Sequence, residues 1–186
     1  MPRHPSQRSP TLTRLDSFIR RLTAQRACLE AAIVLLGDRP GSVLEMGLGN
    51  GRSFDHLRTR LPGRRIVVIE RDPKPHPACM PAGADLVVGT FEEILPQADR
   101  RLPGDLVLVH ADIGTGDEQR NARLARLVAS HLEKFLPDGC VVVSDQALPS
   151  ERLETLPVPE GVEVGRYHLY RVTSRDRDHI MVGAAP

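Results

Sequence analysis

The segment from Val43 to Phe54 constrains the fold more than any other part of the chain. A short apolar run in it ends in Glu45, and three glycines follow at alternate positions. After the glycines, Phe54, Leu57 and Leu61 recur at the spacing of one helix face. This order of features predicts a β-strand, a tight glycine loop and a helix.

The predicted glycine loop has the properties of a ligand-binding loop. Glycine adopts positive φ readily, and without a Cβ atom its backbone can approach a ligand closely. A helix that follows such a loop presents unpaired N–H groups and the positive end of its dipole. We therefore expect the loop to bind a phosphate or the amino-acid end of another ligand.

The spacing of the glycines separates these two possibilities. A dinucleotide-binding loop has the pattern G-x-G-x-x-G, whose third glycine packs the helix against the strand, but Arg52 occupies that position here. A P-loop requires Gly-Lys-Ser or Gly-Lys-Thr, and neither follows. The chain instead has E-x-G-x-G-x-G, formed by Glu45 and the glycines at 47, 49 and 51. A carboxylate within the motif suits a cationic ligand better than a pyrophosphate.

The size and composition of the chain indicate a single domain. With 186 residues, 40% of them apolar, it can form a core of ordinary size. We expect a disordered tail at residues 1–10 and one domain at 11–186. The net charge of +1 gives no indication of nucleic-acid binding, and the three cysteines fit no disulfide or zinc pattern. No apolar run approaches the ~20 residues of a membrane span, and no secretory signal is apparent, so we expect a cytoplasmic protein without membrane contact.

Apolar β-branched runs alternate with helical patterns along the chain. A long amphipathic helix, or two shorter ones, is predicted over residues 11–37, either as a cover for the sheet or as a lid over the ligand. The alternation predicts an α/β fold, a Rossmann-like, doubly wound, seven-stranded, mostly parallel sheet with an antiparallel C-terminal strand and helices on both faces. Residues 148–161 are predicted as a loop or short helix. The parallel strands are predicted at 42–46, 65–70, 84–88, 105–112 and 140–145, and an antiparallel pair at Val164–Val172 and His179–Gly183.

Polar side chains stand at the carboxyl ends of all five predicted parallel strands, which is where doubly wound sheets bind their ligands. Glu70, beside Arg71, ends the second strand and is positioned to accept bonds from both hydroxyls of a ribose. That role is shared by NAD-binding and other nucleoside-binding sheets. The residues at the five strand ends are Glu45, Glu70, Thr90, Asp112 and Asp145.

The glycine motif and these strand ends resemble those of the class I S-adenosylmethionine (SAM)-dependent methyltransferases, and the chain is similar to small bacterial members without a separate substrate domain. The resemblance covers residues 42–183. It implies that the glycines pass under the methionine part of SAM, that the acid of the motif helps to bind its amino end, and that the loop after the third strand passes the adenine. The family more usually has Asp where this chain has Thr90. The implied SAM-binding residues are Glu45, Gly47, Leu48, Gly49, Gly51, Ser53, Glu70, Arg71, Thr90, Phe91 and Asp112, and the implied product is S-adenosylhomocysteine (SAH).

The resemblance also implies two catalytic candidates, Asp112 and Asp145. SAM carries an activated methyl group, so the protein mainly aligns donor and acceptor, and a base is needed only for a protonated acceptor. Asp112 lies where the family places residues that face the methyl group, although such an Asp can also cap a helix or order a loop. His110 is a further candidate base, for which we expect a structural role.

A metal-dependent chemistry is an alternative prediction for the same residues. Catechol-type O-methyltransferases bind Mg²⁺ with an Asp after the fourth strand and an Asp-Asn pair after the fifth. Asp112 and Asp145 match two of these ligands, while Gln146 replaces the Asn. Oxygen ligands of this kind suit Mg²⁺ or Ca²⁺.

The acceptor is predicted to be a small molecule. Its groove would be formed by the N-terminal helix, residues 113–118 and residues 146–160, none of which carries a signature for nucleic acid, lipid or protein. The Asn-Pro-Pro-Tyr motif of several enzymes that methylate amino groups of nucleic acids and proteins is absent. Alternatives are a non-catalytic SAM-binding protein, an NAD-linked oxidoreductase and an aminopropyl transferase. A homodimer through the antiparallel edge or the first helix is possible.

Overall fold

A single seven-stranded sheet forms the centre of the computed structural model, which describes residues 12–174. The predicted tail at 1–10 and the predicted strand His179–Gly183 lie outside the described residues. The strands are β1 (Ser42–Met46), β2 (Ile66–Glu70), β3 (Leu86–Val88), β4 (Leu106–Ala111), β5 (Val141–Ser144), β6 (Leu153–Leu156) and β7 (His168–Val172).

The order of the strands confirms the predicted doubly wound sheet. It runs β3-β2-β1-β4-β5-β7-β6, with β1 to β5 parallel and β7 antiparallel to both β5 and β6. The chain winds outward from β1 in both directions, so the switch point lies between β1 and β4. Ligands of such sheets bind beyond the carboxyl ends of the strands at this point.

The antiparallel part of the sheet differs from the prediction. Only the end of the predicted strand Val164–Val172 is extended, as β7, and its partners are β5 and β6. β6 lies in the segment that was predicted as a loop or short helix. Pro149 and Pro157 flank it closely, and the strand has only four residues. Its sequence pattern is therefore too short to predict a strand. Flanking prolines and short length are properties of an edge strand.

Within residues 12–174, five α-helices cover the two faces of the sheet. They are α1 (Arg14–Leu36), α2 (Arg52–Arg60), α3 (Phe91–Ile94), α4 (Ala98–Arg101) and α5 (Glu118–Phe135). The sequence predicts one helix from Phe91 to about Ala98, whereas a 3₁₀ turn at Leu95–Gln97 separates α3 from α4. Pro96 explains this break, because proline has no N–H group for the helical ladder.

The predicted N-terminal helical segment contains one helix, α1, rather than two shorter ones. The side chain of Thr13 accepts a bond from the Asp16 N–H, and the Asp16 carboxylate accepts one from the Thr13 N–H, which fixes the start of α1. Gly37, at φ 55°, ends the helix. Although α1 has 23 residues, neither it nor any other helix within residues 12–174 is long and apolar enough to cross a membrane.

The apolar side chains form one core layer on each face of the sheet. The layer under α1 and α2 includes Leu29, Leu57 and Leu108. The layer under α3, α4 and α5 includes Leu44 and Val128. Because side chains alternate along a strand, Glu45 and His110 fall on the α1 and α2 face, together with Val43 and Leu108 of the same strands.

Truncation of a buried leucine of α1 tests how much this helix contributes to the core. Leu29 is 1% exposed and Leu15, on the same helix, is 66% exposed. We expect Leu29→Ala to lower the free energy of unfolding by ~2–5 kcal/mol because it leaves a cavity, and Leu15→Ala to change it by less than about 0.5 kcal/mol. Urea unfolding followed by circular dichroism measures both. Equal losses would show that α1 does not pack as described.

Candidate active site

The glycine loop between β1 and α2 requires glycine for steric reasons. Gly47 has φ 90° and Gly51 has φ 81°, values that L side chains rarely adopt. A Cβ atom on Gly47 would also collide with the backbone oxygen of Asp112, and one on Gly51 would lie 2.5 Å from the Cβ of Cys79. The loop is therefore held tightly against β4 on one side and against residues 75–79 on the other.

Glu70 fixes the loop from the end of β2. Its carboxylate accepts bonds from the N–H groups of Leu48 (2.8 Å), Gly49 (3.3 Å) and Asp72 (3.0 Å). Burial raises the pKa of Glu70, but bonds from the backbone N–H groups of Asp72, Gly49, Leu48 and Arg71 outweigh it and lower that pKa. The three bonds of 3.3 Å or less occupy three of the about four acceptor positions of a carboxylate, so Glu70 has room for about one bond from a ligand.

A first cavity of about 170 Å³ opens beside Glu70. It brings together six of the predicted SAM-binding residues from the ends of four strands. Within it, the Thr90 hydroxyl also caps α3 by accepting a bond from the Glu93 N–H. The six residues are Gly47, Glu70, Arg71, Thr90, Phe91 and Asp112.

A second cavity, of about 480 Å³, adjoins the first and shares Gly47, Glu70, Asp112 and Gly114 with it. Most of the side chains that line it are polar, and it contains both predicted catalytic aspartates. The residues that line the second cavity and not the first are Arg21, Gly49, Gly116, Asn121, Asp145 and Gln146.

A buried chain of hydrogen bonds runs behind the loop. Glu45 accepts a bond from the Ser53 hydroxyl and lies 2.8 Å from Nδ1 of His110. Nε2 of His110 is 3.0 Å from the Tyr167 hydroxyl, which accepts a bond of 2.9 Å from the amide of Gln25. All five side chains are at least nine-tenths buried. We call Glu45, Ser53, His110, Tyr167 and Gln25 the buried network.

The buried network reaches the cavities at Asp112. The Gln25 amide donates a bond of 3.0 Å to the Asp112 carboxylate, and Nη1 of Arg21 lies 3.4 Å from the same group. Glu45 has no exposed surface and lines neither the first nor the second cavity. Its contact with the amino end of SAM stays a prediction, and the same holds for Ser53.

The charge on His110 depends on Glu45. Burial lowers the pKa of His110, but the Glu45 carboxylate attracts the imidazolium and accepts its hydrogen bond, and the result is a raised pKa. The negative charges of Asp112 and Asp145 act in the same direction. The histidine lies inside β4 and lines neither the first nor the second cavity, and its structural role stays a prediction.

Asp145 faces hydrogen-bond donors. Its carboxylate accepts bonds from the N–H groups of Ile113 and Gly114, both 2.9 Å, and from the Gln146 amide at 3.1 Å. Burial raises the pKa of Asp145 most, the neighbouring Asp112 raises it further, and these bonds lower it only in part. Within residues 12–174 no three His, Cys, Asp or Glu side chains cluster as metal ligands would. The magnesium alternative stays a prediction.

Comparison with known proteins shows the family to which this chain belongs. Residues 12–172 match the S-adenosyl-L-methionine methyltransferase family. The chain belongs to this family. The crystal structure of an S-adenosyl-L-methionine methyl transferase from Silicibacter pomeroyi DSS-3 is 43% identical in sequence and superposes with a TM-score of 0.81. That alignment covers 87% of this chain and 99% of the other. The protein is accordingly a SAM-dependent methyltransferase.

Two more distant structures share the fold of the methyltransferase. One is MycE from the mycinamycin biosynthetic pathway, in complex with Mg and SAH, with 16% identity, a TM-score of 0.58 and coverage of 96% of this chain and 52% of that one. The other is an RNA methyltransferase from Salinibacter ruber in complex with SAH, with 21% identity, a TM-score of 0.50 and coverage of 78% and 88%. A comparison with curated proteins finds no match.

The residues of this methyltransferase fit its cosubstrate. SAM has a ribose, an adenine and a zwitterionic amino-acid end. Glu70 has acceptor capacity left for a ribose hydroxyl, the loop backbone lies at the N-terminus of α2, and Phe91 offers a ring beside the first cavity. The fit therefore rests on the donors and acceptors that the chain itself presents.

The sequence analysis does not identify four residues of the site, namely Arg21, Gln25, Asn121 and Tyr167. A signal exists for Gln25, because it is a polar residue on the face of α1 that otherwise buries apolar side chains such as Leu29. No comparable signal exists for Tyr167, which precedes β7 and joins the site only through tertiary packing.

Substitution of Gly51 tests the packing of the loop. Gly51→Ala and Gly63→Ala both place a side chain at nearly the same positive φ, 81° and 77°, which costs ~1–2 kcal/mol in each case. A Cβ at position 63 meets nothing within 4 Å, while one at 51 overlaps Cys79. We expect Gly51→Ala to destabilise the fold by ~1–3 kcal/mol more than the control, Gly63→Ala. In calorimetry, Gly51→Ala should weaken the binding of SAH and Gly63→Ala should not. Equal effects would contradict the loop geometry.

Replacement of Glu45 tests the buried pair. In Glu45→Gln the burial of His110 remains, while the charge and the hydrogen bond that raise its pKa most disappear, so the pKa should fall. The raised pKa of His110 stabilises the folded protein fully below pH 6.5. This contribution is lost as the pH rises above 6.5 and through the raised pKa of the folded state. The stability difference between wild type and variant should therefore shrink with increasing pH. Histidine NMR titration and urea unfolding measure the two effects.

Ser53→Ala is the control for this prediction, because it removes a hydrogen bond from Glu45 and keeps the carboxylate. We expect the pKa of His110 to stay raised in Ser53→Ala. An unchanged His110 pKa in Glu45→Gln would show that the carboxylate does not set the charge of the imidazole.

Proposed function

We propose that the protein transfers the methyl group of SAM to a small-molecule acceptor in the second cavity. The observation that carries this proposal is the contact between the two cavities at Gly47 and Asp112. A volume of about 480 Å³ is typical of pockets for small ligands. Its polar lining suits an acceptor with hydroxyl or amino groups.

The proposal places the adenosine part of SAM in the first cavity and its methionine part over the glycine loop. Glu70 would accept a bond from a ribose hydroxyl, and Thr90 and Phe91 would contact the adenine beside Arg71. The backbone from Gly47 to Gly51 would pass under the methionine part. The support for this arrangement is the grouping of these residues around one cavity, next to a carboxylate that is already oriented by three N–H bonds.

The chemistry needs little from the protein beyond alignment. SAM supplies a methyl group activated by its sulfonium, and transfer requires the acceptor atom in line with it. Asp112, held by Gln25 and Arg21 where the cavities meet, would orient the reacting groups. Asp145, with its raised pKa, would take the proton from an acceptor hydroxyl or ammonium group.

The class of acceptor can be tested without knowing its identity. SAM with a radioactive methyl group is incubated with the protein and with a cell extract divided into a small-molecule filtrate and a macromolecular fraction. We expect a labelled product, separated from SAM by chromatography, in the filtrate, and no such product with heat-inactivated protein. Label in protein or nucleic acid would contradict the small-molecule proposal. Binding of SAH without any transfer would favour a non-catalytic SAM-binding protein and would also contradict it.

Asp145→Asn tests the proposed base once a labelled filtrate is available. We expect the rate to fall by ~100-fold because the group that accepts the proton is lost, with SAH affinity unchanged. Asp99→Asn, at an exposed position outside both cavities, is the matched control. In wild type the rate should rise with pH through the Asp145 pKa, which lies above its ordinary value of 3.8. An unaltered rate in Asp145→Asn would exclude it as the base.

The same assay tests the magnesium alternative. If Asp112 and Asp145 bound a required metal ion, a chelator would abolish transfer and added Mg²⁺ would restore it. We expect transfer to continue in the presence of the chelator, because the Asp145 oxygens already face three N–H donors. Loss of transfer with recovery on Mg²⁺ would contradict the metal-free mechanism.

A further inference from the structure

A third cavity, of about 110 Å³, lies between α1 and the glycine loop. Two guanidinium groups and one carboxylate face it, those of Arg21, Arg52 and Asp112. The side of the cavity opposite α1 is formed by Leu48, Gly49 and Asn50. The predicted SAM-binding residues do not include either arginine.

The two arginines have unused hydrogen-bonding capacity. Each guanidinium lies over the ring of Phe18 within cation–π range, with Cζ 5.7 Å from the ring centroid for Arg21 and 5.8 Å for Arg52. Arg52 forms no ion pair with any residue from 12 to 174. Arg21 has one ion-pair partner in that range, Asp112, with 3.4 Å between Nη1 and the nearer carboxylate oxygen. Most of the N–H groups of both side chains therefore remain open to a ligand.

Asp112, in contrast, is held firmly. Its carboxylate accepts the 3.0 Å bond from Gln25, whose amide also donates to Tyr167 at 2.9 Å. Since Gln25 and Tyr167 are nine-tenths buried or more, the carboxylate has a fixed orientation, while the partly exposed Arg21 can move. A fixed anion beside a movable cation matches the two charges of an α-amino acid.

We infer that Arg21 binds the carboxylate of the methionine part of SAM, and that Asp112 binds its ammonium group. This inference rests on the proposed placement of SAM. Arg21 would move a short distance from Asp112 and clamp the amino-acid end against the glycine loop, with Arg52 adding positive charge behind it. α1 is then part of the cosubstrate site, and Gln25 is a positioning residue for Asp112.

The inference separates the two roles that sequence analysis gives Asp112. A carboxylate that binds the ammonium group of SAM is not free to take a proton from the acceptor. Proton transfer then belongs to Asp145, which also lines the second cavity. It also gives Glu45 an indirect role, since that carboxylate orients Asp112 through His110, Tyr167 and Gln25.

The test uses three ligands that differ only in the amino-acid end. SAH has both charges, decarboxylated SAH has the ammonium group alone, and 5′-methylthioadenosine has neither. Calorimetry gives their affinities for wild type, Arg21→Met, Asp112→Asn and the control Arg20→Met. Arg20 is the exposed neighbour of Arg21 on α1 and lines none of the three cavities.

We expect Arg21→Met to weaken SAH by about 10- to 100-fold and to leave decarboxylated SAH and 5′-methylthioadenosine unchanged. Asp112→Asn should weaken both ligands that carry the ammonium group and leave 5′-methylthioadenosine unchanged. Arg20→Met should change none of the three affinities.

Three outcomes would overturn the inference or its basis, and they can be told apart. If Arg21→Met weakens all three ligands alike, Arg21 has a general structural role. If it weakens none, the carboxylate is bound elsewhere. If wild type itself does not bind SAH, the placement of SAM fails, and the inference fails with it.

Discussion

The buried pair of Glu45 and His110 is the interaction on which this structure depends. The two residues are direct neighbours on β1 and β4, at the switch point of the sheet, and neither has any solvent exposure. Buried ionisable groups are tolerated only where they are paired and hydrogen-bonded. Each element packed on this face supplies a partner, with Ser53 from α2, Gln25 from α1 and Tyr167 from the segment before β7. The requirement to satisfy two buried groups thus fixes how four parts of the chain come together.

The same requirement links the core to the site. The buried network ends at Asp112, where the first and second cavities meet, so residues that are at least nine-tenths buried determine the orientation of that carboxylate. Glu70 has a parallel role on the other side of the glycine loop, where it is fixed by three backbone N–H groups. Two oriented carboxylates and a loop at positive φ form a preorganised site. Methyl transfer needs such a site because it depends mainly on the alignment of donor and acceptor.

The sequence predicts those parts of the structure that local patterns determine. The glycine motif, the five parallel strands and the polar residues at their ends all follow from short segments, and Glu70, Thr90, Phe91 and Asp112 indeed line one cavity. The buried network could not be predicted, because its members are far apart in the chain. Gln25 and Tyr167 are separated by 142 positions, and Glu45 and His110 by 65. Strand β6 escaped prediction for a different reason, since its four residues between prolines carry too little local signal.

The central claim is that SAM lies between the glycine loop and Glu70, with its amino-acid end under α1. The most direct measurement is a crystal structure of the protein grown with SAH. The account predicts a ribose hydroxyl on the Glu70 carboxylate, the adenine beside Thr90 and Phe91, and the amino-acid end between Arg21 and Asp112. SAH bound away from Glu70, or with its amino-acid end directed away from α1, would contradict it.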